Sequence, residues 1–236
     1  MASTSRALAV AQSADRAGTH DRLFYSTMAA AMALAVFAGF ARTYYLPLFS
    51  GGPTATIAGL PFAPVVHIHG ALFTAWVVLF MVQTTLVAQR RIAVHRKLGI
   101  AGAMLAAAMV VSGTAIRFRE ARLLGGRSLA ASLSSFVLGI SDILMFATFV
   151  AAALALRRNK EAHKRLMLLA YVSILNAAIA RIPGMPSQHA AIALTLLPIA
   201  VGMTYDYASR RQVHRVYLLG AALFVIYFGG LGFPSG

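Results

Sequence analysis

Three short basic stretches decide how this chain folds: Arg90-Arg91-Ile92-Ala93-Val94-His95-Arg96, Arg157-Arg158-Asn159-Lys160-Glu161-Ala162-His163-Lys164 and Arg210-Arg211-Gln212-Val213-His214-Arg215. Each closes one long apolar run and opens the next. Paired arginines followed by a His-Arg or His-Lys step suit a tight cytoplasmic loop between two membrane helices, because carrying Lys or Arg across a bilayer is costly. The chain thus reads as helical hairpins hung from three basic turns.

Composition agrees with that reading. Of 236 residues, 59% are hydrophobic and only 11% charged, against about a quarter charged in soluble domains; mean hydropathy is +0.74. The net charge of +15 sits in short clusters between apolar runs, as positive-inside loops require, and not on a continuous stripe that would follow nucleic acid, so no nucleic-acid partner is expected. With no cysteine, the chain offers no disulfide, no thiolate zinc site and no iron–sulfur cluster of its own.

The expected fold is an all-α integral membrane protein with seven transmembrane helices, N-terminus cytoplasmic and C-terminus outside, in the cell's inner (plasma) membrane. Residues 1–21, rich in Ala, Ser, Thr and Arg, read as a disordered cytoplasmic tail ahead of a membrane domain over 22–236. The spans are expected at about 23–40, 65–88, 98–116, 129–156, 166–182, 190–207 and 216–233. A Gly/Pro-rich external loop covers 48–64, and Pro198 is placed to kink the sixth span. Arg117, Arg119, Arg122 and Arg127, between the third and fourth spans, are the one breach of the charge asymmetry.

Polar residues inside apolar runs mark the candidate sites. Asp142 lies mid-way along the fourth span, where an ionisable group costs about 2.5–3.5 kcal/mol to insert, so it is the first candidate for catalysis or proton handling. Its expected partners are Arg42, His67, His69, Asn176, Arg181 and His189, all assigned to the outer half. Together with Tyr44 and Trp76, the residues Arg42, His69, Asn176 and Arg181 are expected to line an outer cavity. His67 and His69 are two apart and therefore about 200° apart on a helix, so they cannot share one ion unless the helix starts late. His67, His69 and His189 outside, and His95, His163 and His214 inside, are candidate haem or metal ligands. The alternative for each is a packing or loop-boundary histidine, and for Asp142 a buried ion pair.

The steps His95-Arg96-Lys97-Leu98-Gly99 and Ala162-His163-Lys164-Arg165-Leu166-Met167, with Arg181-Ile182 at the far end of the same span, resemble uncharacterised bacterial polytopic membrane families whose helices open on His-Arg-x-x-Gly and Ala-His-x-x-x-Met. Histidines at the ends of paired helices are similar to the layout of cytochrome b561-type haem proteins. The resemblance covers the second to fifth spans and implies an inner-membrane location with haem or a His-ligated transition metal as cofactor. Three functions follow as expectations: a redox protein built on such a cofactor, a proton-coupled transporter or small-ligand-binding protein centred on Asp142, and an assembly or scaffold subunit with membrane-protein partners.

Overall fold

The computed structural model of the chain describes residues 2–50, 64–123 and 129–230, with side chains for 18–50, 64–122, 136–137 and 139–229. All regular structure among these residues is helical. Helix α1 (Ala2–Phe40) passes through a π-helical turn (Ala41–Tyr45) into the short α2 (Leu46–Ser50). Then come α3 (Pro64–Ala88), α4 (Ile92–Leu123), α5 (Leu129–Ala155), α6 (Lys160–Ile179), α7 (Gln188–Arg210) and α8 (Arg215–Gly230).

Among the described residues, four stretches are long and apolar enough to cross a membrane: Gly18–Ser50, Pro64–Ala88, Ile92–Arg122 and Gln188–Arg210. Two shorter apolar stretches, Gly139–Ala155 and Arg215–Gly229, lie in α5 and α8. The distribution of side chains is that of a protein in lipid. Leu34 and Val111 are each 71% exposed, whereas Arg165 and Asp206 are 0% exposed, an inversion that water would penalise on both counts.

The bundle is built around α6, of whose twenty residues twelve are buried. Helices α1, α5, α7 and α8 pack on it, and the α3–α4 hairpin closes the remaining side against α1 and α5. The shared core runs from Leu168, Leu169 and Val172 of α6 to Trp76, Phe146, Phe149 and Phe224. Glycine sets the closest approaches: a Cβ on Gly39 would strike the backbone of Ala178, and one on Gly202 would meet the ring of Tyr217, so α1 and α8 sit nearer their neighbours than any larger residue allows.

Local chemistry fixes the ends. Asn159 caps α6 by accepting from the N–H groups of Glu161 and Ala162, and Ser187 caps α7 through Ala190 N–H at 3.1 Å. The first and third basic turns each place an arginine in the left-handed region, Arg90 at φ 62° and Arg211 at φ 57°. Glycine is favoured there; the turns keep the charge instead.

Two expectations change. Residues 2–21 are helical and continuous with the first span, since Ala, Arg and Gln are good helix formers. The third span does not stop at Ile116 but continues to Leu123, so Arg117, Arg119 and Arg122 are helical residues and not loop residues. Most of the expected external loop, over 51–63, and Arg127 lie outside the described residues.

Candidate functional site

Two polar clusters occupy opposite ends of the bundle. At the end of the basic turns, α6 and α7 present Glu161, Lys164, Arg165, Asp206 and Arg210, and α1 adds Asp21. Arg165 Nε donates to Asp206 Oδ2 at 2.8 Å while its Nη2 donates to Oδ1, a two-pronged pair with both side chains fully buried. Arg165 Nη1 also donates to Glu161 Oε2 at 2.8 Å. Lys164 bridges Asp21 (2.5 Å) and Glu161 (2.9 Å), and Arg210 bridges Asp21 and Asp206, each at 2.9 Å. The His214 backbone N–H completes Asp206 Oδ2 at 3.2 Å.

Three carboxylates thus balance three cations, and half of the chain's six acidic residues are spent here. The Arg165 guanidinium also lies 5.6 Å from the Tyr217 ring centre, and Tyr217 hydroxyl meets Tyr25 hydroxyl at 3.3 Å. Burial pushes the Glu161 carboxyl up, but its bonds to Arg165 and Lys164 outweigh that and hold it down at about 2. Burial, and then Arg165, disfavour a charged imidazole on His214. Every acid in the cluster has at least two cationic partners, which makes it a clamp between α1, α6 and α7.

The second cluster lies in the other half. Asp142 of α5 and the Tyr227 hydroxyl of α8 face each other closely enough to interact. One turn away, Gly139 leaves space into which the Arg117 side chain folds, and Arg117 pairs with Glu120 at 2.7 Å. From this position Arg117 acts electrostatically on Asp142, His69, Tyr227 and Arg181. His69 Nδ1 lies 3.3 Å from Ser112 Oγ, with its ring 4.1 Å from Phe73. The arrangement sets a half-buried carboxyl beside a phenol, with a guanidinium close by.

Asp142 therefore finds a partner, Arg117, that was expected in a loop. The other expected cavity residues are dispersed. Tyr44 hydroxyl donates to the His67 carbonyl at 3.3 Å on the π-turn, where Arg42 is exposed. Trp76 is buried edge-on against Phe146 with its indole N–H unpartnered. Asn176 accepts from Thr195 at 3.2 Å, Arg181 packs over the Phe40 ring at 5.2 Å, and His189 is exposed in the first turn of α7.

Among the described residues no three His, Cys, Asp or Glu side chains group as a metal ion would require. Two histidines at the end of the basic turns do meet: the His95 and His163 rings stand 6.4 Å apart and nearly perpendicular. His163 Nδ1 is 2.8 Å from the Ala153 carbonyl. With its amide turned to satisfy both neighbours, Gln83 donates to His95 Nδ1 at 2.6 Å and accepts from Gly99 N–H at 3.1 Å. His214 stands apart, accepting from Val216 N–H at 3.2 Å.

No family model, curated protein or solved structure matches the chain.

Proposed function

We propose that this chain is a seven-span protein of the inner (plasma) membrane, N-terminus inside and C-terminus outside, that exchanges a proton at Asp142 in step with binding a small ligand in the outer half. The observation that carries the reading is Asp142 set in an apolar helix next to Tyr227, with Arg117 folded over Gly139 one turn away. A carboxyl in an apolar layer is held for a reason other than packing when a proton-sharing partner and a counter-charge both accompany it. Asp142 holds the proton, Tyr227 orients it, and Arg117 takes over as counter-charge when the proton leaves. The inner clamp supports the same reading, because it closes the bundle on the cytoplasmic side while the proton site sits beyond it.

Infrared difference titration of the protein in lipid discs tests this directly. The wild type shows a protonated-carboxyl carbonyl band that vanishes on raising pH, Asp142→Asn lacks it, and Tyr227→Phe shifts its midpoint. Identical titrations of the wild type and Asp142→Asn would sink the reading.

A second reading rests on His95 and His163. Two imidazoles from different helices face each other, and His163 gives its Nδ1–H to the Ala153 carbonyl, which leaves its Nε2 lone pair free for a transition metal or a haem iron; His95, which accepts from Gln83 at Nδ1, would ligate only with that amide turned back. Such a group would supply one-electron chemistry at the inner face, as the b561-type resemblance implies. Metal analysis and an optical spectrum of the purified protein decide it: absence of both stoichiometric metal and haem bands would remove the reading.

A further inference from the structure

The arginines of α4 divide by direction. Arg117 folds into the bundle over Gly139, and Arg119, two residues on, points about 200° away. Arg119 and Arg122 line, with Ala115 and Phe118, a cavity of about 480 Å³ along α4, where the Phe118 ring also lies 5.4 Å from that of Phe136 in α5. Among the described residues neither arginine makes an ion pair or hydrogen bond.

Below them the same helix face is apolar and open: Phe118 is 54%, Val111 71% and Met104 64% exposed. Steps of seven and four residues keep Met104, Val111, Ala115 and Arg122 on one stripe. From Val111 to Arg122 the rise is about 16 Å, close to half of the ~30 Å hydrocarbon thickness. An apolar track one leaflet long ends in two guanidiniums at the height of the headgroups.

We infer that this face is a binding site for an anionic phospholipid, its phosphate held between Arg119 and Arg122 and an acyl chain lying along Phe118 and Val111. Guanidinium forks match phosphate oxygens in geometry and charge. The apolar track below selects a lipid over a free anion. The site also explains why positive charge is kept at the end of α4 remote from the basic turns: the arginines are satisfied by the membrane itself. The inference rests on the membrane setting of α4 and not on the proton chemistry of Asp142.

Native mass spectrometry of the full chain from lipid discs of equal phosphatidylglycerol and phosphatidylcholine tests it. The wild type retains phosphatidylglycerol in preference, Arg119→Gln/Arg122→Gln loses that preference about tenfold or more, and Arg119→Lys/Arg122→Lys keeps most of it, which separates charge from folding. Equal retention of both lipids, or an unchanged preference in the Gln variant, overturns the proposal. So does displacement of the lipid by an equal concentration of inorganic phosphate, which would mark a free-anion site, or occupation of the face by a second copy of the chain in crosslinking through position 119.

Discussion

Removing the carboxylate of Asp206 is the sharpest test of what holds the bundle together. Arg165 and Asp206 are both 0% exposed and share two hydrogen bonds. In Asp206→Asn, Arg165 keeps Glu161 as its carboxylate partner, and Glu161 is itself 47% exposed and already shared with Lys164. Stripping one partner from a buried pair costs about 3–5 kcal/mol. At about 2–4 °C per kcal/mol for a chain of this size, the unfolding midpoint in detergent or lipid discs falls by about 10 °C. Arg210, 33% exposed, also meets Asp206 at 2.9 Å, but Arg210→Gln is expected to cost under about 1 kcal/mol because solvent screens it. The decisive comparison is Arg165→Met/Asp206→Leu, which removes both charges and should recover much of the loss. An unchanged midpoint for Asp206→Asn, or a double variant no better than the single one, would refute the argument.

Further outcomes follow from other parts of the structure. Because Glu161 is held at about 2 against an ordinary 4.5, the stability it contributes is fully present above pH 4.5 and fades as pH falls towards 2. Midpoints measured across that window should fall more steeply in the wild type than in Glu161→Gln, and high salt should narrow the gap. Gly39→Ala forces α1 away from Ala178 and should cost about 1–3 kcal/mol, whereas Gly229→Ala, with nothing within 4 Å among the described residues, should be neutral in the same thermal assay. Since the chain has no cysteine, single cysteines report topology: Gln89→Cys, Asn159→Cys and Gln212→Cys should react with an impermeant thiol reagent only from the cytoplasmic side, and Gln188→Cys only from outside.

Much of the architecture was legible because charge placement is a one-dimensional signal. Each basic stretch falls where one helix yields to the next, at residues 89–91, 156–159 and 211–214. Asp142 also stood out, since a lone carboxylate in an apolar run is conspicuous whatever surrounds it. Its partner did not, because Arg117 was read as the mark of a loop. Arg, Glu and Ala are all good helix formers, and they carry α4 through Arg117 and Glu120 to Leu123. The 117/120 spacing of opposite charges was the available clue.

The clamp around Arg165 was hidden for a related reason. Arg165 directly follows a basic turn, where charge suits a solvated loop, and Asp206 lies near the end of α7, where an acid is unremarkable. Its signals were the i,i+4 spacings Glu161–Arg165 and Asp206–Arg210 in a chain with so few acids. What no spacing supplies is rotation about the helix axis: it scattered the expected outer cavity, turning Arg42 and His189 to the surface and leaving Trp76 in the aromatic core.

The position of Asp21 has a consequence for how the protein is made. Its two cationic partners, Lys164 and Arg210, lie 143 and 189 residues further along the chain. At about 5–20 residues per second, the first helix waits roughly 10–40 s after its own synthesis for α7 to deliver Arg210. Through that interval α6 carries Arg165 into the bundle with Glu161 as its carboxylate partner and without Asp206. A nascent chain interrupted before α7 therefore holds Arg165 on one half-exposed carboxylate, so closure of the ion network by Asp206 and Arg210 is a late step in assembling the bundle.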